Sequence, residues 1–348
     1  MSAIVPGPRR FTALRDVFGG ISAIGVKELR GRMRGRRAFV ILTIHLLLIA
    51  GFAWMIESLM ERTFTGGFGS TFSASAEIGR ALFIALLMLL TLVVLVLAPA
   101  STAGAISLER EKQTLDLLVT TPISSLAIVL GKLASALSWI LLLLLASIPV
   151  MALVFTFGGV GPDDMIRGYV VLLVSAIFYG SLGLFVSALV KRTQAATVIN
   201  LVSVIALTAG TGFIFLFWTS MAASSFDGNP RADDGSISAL TRRPPEILMW
   251  FNPFVAQTDV VCGTETGFGG TCQVISTITN QDALFNGNVG GFDNQFGVPR
   301  DSYWPRSLTA MGLASLLLVI LSVQLVSPTR RWRFRLPRLR RRPAGSDA

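Results

Sequence analysis

Several apolar runs in this sequence approach or exceed the roughly 20 residues that cross a bilayer as a helix. Only 14% of the 348 residues are charged, against about 25% in soluble globular proteins. A backbone inside a membrane must satisfy its own hydrogen bonds, and an α-helix does so within one segment. The sequence therefore predicts an all-α membrane protein with six transmembrane helices, at about 38–57, 78–100, 126–157, 165–189, 195–220 and 305–327.

Positive charge is concentrated on one side of this predicted bundle. Six spans place both chain ends on the same side, together with 101–132 and 191–192, and these regions hold most of the lysines and arginines. Because the more basic loops face the cytoplasm, we expect both termini to be cytoplasmic and the protein to be a multi-pass protein of the plasma (inner) membrane. The opposite loops carry Arg62, Arg80, Arg167, Arg231, Arg242, Arg243, Arg300 and Arg306.

The net charge of +10 does not indicate a nucleic-acid partner. The densest basic clusters lie beside apolar runs, where lysine and arginine set topology and contact anionic lipids. Membrane lipids are therefore expected partners, and nucleic acid is not. The chain divides into a basic cytoplasmic or interfacial helix (1–37), spans 1 to 5 (38–220), an extracytoplasmic segment (221–304), span 6 (305–327) and a basic cytoplasmic tail (328–348).

The predicted outer segment contains one marked apolar stretch and both cysteines. Residues 247–261 are apolar but are interrupted by Asn252-Pro253, and the broken run is too short to span a bilayer. We therefore expect a re-entrant element or a surface hairpin. Cys262 and Cys272 come next. Outside the membrane a disulfide between them would stabilise the fold by about 3 kcal/mol; two free thiols are the alternative.

The most charged short segment between two apolar runs is 104–132. Its leucines recur at helical spacing and form one apolar stripe: Leu108, Leu115 and Leu118. Charged side chains occupy the remaining faces, and Pro122 ends the helix because it disfavours a helical conformation at Thr121. The pattern predicts an amphipathic helix within 104–125 at the membrane face, which offers charges to a soluble partner. An ordinary charged loop is the alternative.

The order of residues in this segment resembles the first cytoplasmic loop of ABC type-2 transporter permeases. In that family acidic residues, Leu-Leu, Thr-Pro and Gly-Lys follow one another at this spacing. The matching residues are Glu109, Glu111, Thr114, Leu117, Leu118, Thr121, Pro122, Gly131 and Lys132. Gln113 is a departure, because the family more often has glycine at that position.

This resemblance implies a coupling helix that docks on a separate ATPase subunit. The residues assigned to ATPase coupling are Glu109, Arg110, Glu111, Lys112, Thr114, Leu115, Leu117, Leu118, Thr121 and Pro122. The implied partners are two copies of an ABC ATPase and a second permease chain, in a homodimer or a related heterodimer. ATP and Mg²⁺ are expected on the ATPase, with no cofactor bound by this chain. The expected function is the membrane subunit of an ATP-driven exporter; the alternative is a non-transporting subunit that transmits ATP-driven motion to an extracytoplasmic partner.

The sequence contains no motif for catalysis or metal binding. Gly131-Lys132 lacks the preceding glycine of a phosphate-binding loop and is followed by leucine, so we do not expect this chain to be an enzyme. His45 is the only histidine, which leaves no histidine-based metal site. His45 in span 1 and Asn200 in span 5 are candidate polar residues of a pathway. For each of them we favour an interhelical hydrogen bond.

Overall fold

A computed structural model describes residues 36–64, 71–113, 125–224, 246–262 and 303–326. Residues 1–35 of the predicted interfacial helix, the second half of the predicted coupling segment (114–124) and the basic tail lie outside the described residues. Nearly all described residues are helical, and no strand occurs among them.

Six helical stretches of the described chain are long and apolar enough to cross a membrane, which confirms the predicted all-α architecture with six spans. We number these spans 1 to 6: Arg36–Phe64; Thr71–Ala103; Ser125–Ala152 with the one-turn helix Val154–Phe157; Pro162–Leu189; Thr193–Ile205 continued through the π-helical turn Ala206–Gly210 into Thr211–Ser224; and Trp304–Val326. Three shorter elements connect them: the helix Ser107–Glu111, the 3₁₀ turn Glu246–Met249 and the helix Pro253–Cys262.

Spans 1 and 2 are longer than the apolar runs that predict them. The sequence predicts span 1 over 38–57, and the helix occupies Arg36–Phe64. Span 2 is predicted from residue 78, and its helix begins at Thr71. Apolar residues mark only the part of a helix that lies in hydrocarbon, whereas the backbone hydrogen bonds continue into polar sequence.

Span 4 is the central helix of the bundle. In its most apolar stretch 67% of the residues are buried, against 11% in span 1. It packs against spans 2, 3, 5 and 6, and Leu172 and Tyr179 of span 4 lie in the main core with Leu87 and Leu90 of span 2. The small residues of span 4 allow this close packing.

Gly183 marks the tightest contact of span 4. A Cβ atom at this position would collide with Thr102 Oγ1 of span 2 and would lie 2.9 Å from Asn200 Nδ2 of span 5. Spans 2, 4 and 5 therefore meet at a point where only glycine fits.

The turn between spans 3 and 4 depends on two glycines. Gly158 and Gly159 have φ angles of +81° and +79°, a conformation that residues other than glycine rarely adopt. Ser75 Oγ donates a hydrogen bond to Phe157 O (2.7 Å), and Arg80 Nε donates one to Gly159 O (2.9 Å). The turn between spans 3 and 4 is thus held by the beginning of span 2.

Candidate functional site

The helix Ser107–Glu111 is fastened to the bundle at its first turn. The backbone N–H groups of Ile106 and Ser107 both donate to Ser187 Oγ of span 4, each at 3.0 Å. Ser187 is fully buried. The first N–H groups of a helix have no partner within it, and this serine supplies one from another helix. Ile106 is also fully buried, in a cluster formed with Val129, Leu133, Leu184, Ala188 and Val326.

Glu109 turns towards span 3. Its Oε1 lies 2.8 Å from Lys132 Nζ, and Lys132 is only 5% exposed. A buried ammonium group needs a partner of opposite charge, so Lys132 and Glu109 stabilise each other's position. The lysine of the Gly-Lys pair in the sequence motif therefore has a structural explanation: Lys132 supplies the positive charge that pairs with Glu109.

Glu111 turns towards span 5. Its Oε1 accepts a hydrogen bond from Thr193 N (2.9 Å), and its Oε2 accepts one from Thr193 Oγ1 (2.8 Å). Thr193 is the first residue of the span 5 helix. A carboxylate is favoured there because unpaired N–H groups and the helix dipole give a helix N-terminus partial positive charge.

Within the described residues, the amphipathic helix predicted over this segment is present only as Ser107–Glu111. The helix ends there, and Gln113 has a φ of +55°. A left-handed residue just after a helix stops it; Leu115 and Leu118 of the predicted stripe lie outside the described residues. This conformation favours glycine, which accounts for the glycine that the family more often has at this position.

The structure brings together only part of the predicted coupling residues. Glu109, Arg110, Glu111 and Lys112 lie on or beside the short helix. Thr114, Leu115, Leu117, Leu118, Thr121 and Pro122 lie outside the described residues. Sequence reasoning missed the roles of Ser187 and Thr193. The only available signal was Thr193 itself, a residue with a hydroxyl group at the start of an apolar run.

A second short element lies at the opposite end of the bundle and is centred on Asn252. As the sequence predicts, the apolar stretch is broken at Asn252-Pro253, where the helix Pro253–Cys262 begins. Asn252 Oδ1 accepts a hydrogen bond from Phe254 N (3.1 Å), and Asn252 Nδ2 donates one to Thr208 O (3.0 Å). Thr208 belongs to the π-helical turn of span 5. One side chain therefore starts the short helix and ties it to span 5.

Spans 4 and 6 also bind this second element. Tyr179 Oη of span 4 donates a hydrogen bond to Phe251 O (2.9 Å), and Ser307 Oγ of span 6 donates one to Trp250 O (2.7 Å). The buried carboxylate of Asp259 accepts a hydrogen bond from the backbone N–H of Trp304 (2.9 Å), the first residue of span 6. We refer to the two ends of the bundle as the Glu111 end and the Asp259 end.

The remaining predicted site residues have different outcomes. His45 Nε2 lies 3.2 Å from Leu143 O of span 3, and Asn200 Nδ2 donates to Pro99 O of span 2 at 2.9 Å. Both make the interhelical hydrogen bonds that we expected. Cys262 ends its helix and Cys272 lies outside the described residues, so the disulfide stays a prediction. No group of three or more metal-ligating side chains occurs in the part of the chain that the structure describes.

A family model described as ABC-2 family transporter protein matches residues 22–266. The chain belongs to the ABC-2 transporter family. The match includes spans 1 to 5 and both short helices, Ser107–Glu111 and Pro253–Cys262. No curated protein matches the chain.

Membership in the ABC-2 family places this protein among multi-pass membrane transport proteins. ABC-2 permeases are membrane components and not themselves ATPases. They generally work with an ABC ATPase partner and dimerise. In this permease both short helices are attached to several spans at once, and each supplies a carboxylate to the first residue of one span.

Proposed function

We propose that this ABC-2 permease is the membrane subunit of an ATP-driven exporter. Two copies of an ABC ATPase carry ATP and Mg²⁺ and bind at the Glu111 end, and a second permease chain completes the membrane part. The Glu111 end faces the cytoplasm, as do both chain termini, because most lysines and arginines lie in the segments on that side.

One observation carries this proposal. The helix Ser107–Glu111 is bound to spans 3, 4 and 5 through Lys132, Ser187 and Thr193. A force applied to this helix by an ATPase therefore moves three spans together, since none of these contacts breaks without loss of a hydrogen bond or an ion pair. The helix has the attachments that a coupling helix requires.

Span 5 extends this connection to the other end of the bundle. Its first residue, Thr193, binds Glu111, and Thr208 in its π-helical turn binds Asn252. Span 4 joins the same two ends, because Ser187 binds Ile106 and Ser107 and Tyr179 binds Phe251. Motion of the coupling helix thus reaches the helix Pro253–Cys262 through spans 4 and 5. In our proposal this second helix is a re-entrant element that closes the outer end of the pathway, and ATP-driven displacement opens it.

The test needs no knowledge of the cargo. The permease is co-expressed with an ABC ATPase that co-purifies with it, and amide hydrogen exchange over 246–262 is compared without nucleotide and with ATP plus vanadate. We expect nucleotide to change exchange there in the wild type and to change it much less in Ser187→Ala. The matched control is Ser138→Ala, because Ser138 Oγ bonds only its own helix, at Ala134 O.

The possible results distinguish an ATPase that moves the Asp259 end from an ATPase that only binds the permease. An unchanged exchange pattern in the wild-type complex would show that nucleotide does not act on the Asp259 end. Equal responses in Ser187→Ala and the wild type would show that the attachment through span 4 does not carry the motion.

A further inference from the structure

Both acidic side chains of the helix Ser107–Glu111 have partners in the bundle, although Glu109 is partly buried and Glu111 is exposed. Glu109 pairs with the buried Lys132, and both carboxylate oxygens of Glu111 bind Thr193. Its basic side chains have no such partner: Arg110 and Lys112 form no ion pair with any residue that the structure describes. Lys112 is exposed and Arg110 partly exposed. In this segment the acidic side chains are thus already bound within the chain, whereas the basic side chains are not paired with any described residue.

Two more cations lie beside this segment. Lys191 and Arg192 are exposed and come directly before Thr193, which places them next to Glu111 through the Thr193 hydrogen bonds. At the same end, Leu108 is 42% exposed on the short helix. We call these residues the cationic ridge: Leu108, Arg110, Lys112, Lys191 and Arg192.

We propose that the cationic ridge is the surface that contacts the ATPase, and that the ATPase presents an acidic surface there with room for the Leu108 side chain. In this assignment Glu109 and Glu111 are positioning residues that hold the ridge in place and do not themselves dock. The proposal rests on the proposed function, because it requires an ATPase at this end. The acidic residues of the sequence motif suggest a negatively charged contact surface on the permease, whereas this proposal makes that surface positively charged.

Charge complementarity favours this occupant. Opposite charges across an interface steer partners together and reject wrong ones, and an exposed leucine within a charged rim supplies an apolar anchor. Anionic lipid is the other possible occupant. Lipid-binding segments are dense clusters of four to eight basic residues, and the segments 27–37 and 330–342 of this chain fit that description better than the ridge does.

The ridge is also rigid, which suits contact with a moving protein subunit. The segment that carries Arg110 and Lys112 is held by Ser187, Lys132 and Thr193. A rigid surface loses little conformational entropy when it binds and transmits displacement to the spans behind it.

The experiment measures binding of the purified, co-expressed ATPase to the permease in nanodiscs, at low and at high salt. For the double variant Arg110→Glu/Lys112→Glu we expect Kd to rise by about tenfold or more, because like charges then face each other. The double variant Arg110→Lys/Lys112→Arg keeps the charge and is expected to stay within about twofold of the wild type. If the reversed variant does not insert, Arg110→Gln/Lys112→Gln gives the same test with a smaller change.

Glu111→Gln separates positioning from docking. As a positioning residue, Glu111 is expected to leave Kd within about twofold of the wild type while its loss reduces the nucleotide-dependent exchange at 246–262. A large rise in Kd for Glu111→Gln, with no change for the Arg110 and Lys112 variants, would overturn the assignment.

Two further outcomes are distinct. If the wild-type permease binds no ATPase, the proposed function fails and the ridge assignment fails with it. If the wild type binds but charge reversal has no effect, only the ridge assignment fails. A reversal that reduces contact with spin-labelled phosphatidylglycerol in mixed-lipid nanodiscs, with unchanged ATPase binding, assigns the ridge to lipid and also overturns the proposal.

Discussion

The carboxylate of Glu111 accepts hydrogen bonds from both the backbone N–H and the hydroxyl of Thr193, at 2.9 and 2.8 Å, across 82 positions of sequence. The helix Ser107–Glu111, which follows span 2, is thereby joined to the first residue of span 5. The family resemblance assigns this glutamate to an ATPase contact, and the structure adds that each of its carboxylate oxygens already accepts a hydrogen bond inside the chain.

We predict that Glu111→Gln and Thr193→Val have non-additive effects on stability. Each variant removes part of the same contact, so the double variant is expected to lower the Tm of the purified permease little more than the worse single variant does. Thr197→Val is the control, since Thr197 is exposed and its hydroxyl bonds only Thr193 O of its own helix. Fully additive losses of Tm would show that the two side chains act independently.

Lys132→Met is expected to destabilise the protein because it leaves Glu109 partly buried without its ammonium partner. Removal of one member of a buried ion pair costs about 3–5 kcal/mol, and the 24% exposure of the Glu109 side chain places the effect at the lower end. We expect Glu109→Gln/Lys132→Met to recover part of this loss in denaturant unfolding. The exposed Lys191→Met should change stability by less than about 0.5 kcal/mol. Equal losses in the single and double variants would contradict a role for the pair.

Gly183→Ala is expected to separate spans 2, 4 and 5. The new methyl group meets Thr102 Oγ1 and Asn200 Nδ2, and such overpacking typically costs about 1–3 kcal/mol. Gly212→Ala and Gly312→Ala are matched controls, because a Cβ at either position has no neighbour within 4 Å. Unfolding of the monomeric chain in detergent should distinguish them. A Gly183→Ala protein as stable as the controls would mean that the three spans do not meet as described.

Two substitutions at Asn252 separate its contact with Phe254 from its contacts with Thr208 and Thr211 of span 5. Serine also starts helices well, so Asn252→Ser keeps an acceptor for Phe254 N but has no donor that reaches Thr208 O. Asn252→Ala loses both. We expect faster amide exchange in the π-helical turn of span 5 in both variants, and faster exchange at the start of the helix Pro253–Cys262 only in the alanine variant. If amide exchange in the π-helical turn is unchanged in both variants, Asn252 does not stabilise that part of span 5.

The sequence predicts the spans well and the contacts between them poorly. Length and polarity are properties of single segments, so apolar runs reveal the six helices, and Asn252-Pro253 reveals the break in the outer apolar stretch. The pairing of Glu109 with Lys132 and of Glu111 with Thr193 depends on the packing of distant helices. No periodicity encodes it. Ser187 is the clearest example. A serine among small residues of a span is equally consistent with simple helix packing and with the hydrogen bonds to Ile106 and Ser107 that the structure shows.

The left-handed residue Gln113, which follows the short helix, was not predicted for a different reason. Glycine is the usual signal for a left-handed residue, and here glutamine adopts that conformation. Because glutamine stands at position 113 in place of glycine, the sequence lacks the usual signal for a left-handed residue, although the backbone still adopts that conformation.

Glu111 precedes Thr193 in the chain, and Asp259 precedes Trp304. Synthesis begins at the N-terminus, so in both cases the acid has left the ribosome before the helix that it will cap. The carboxylates that bind the first residues of spans 5 and 6 are therefore synthesised before those spans. The contact at the Glu111 end can form before the contact at the Asp259 end, in the order of translation.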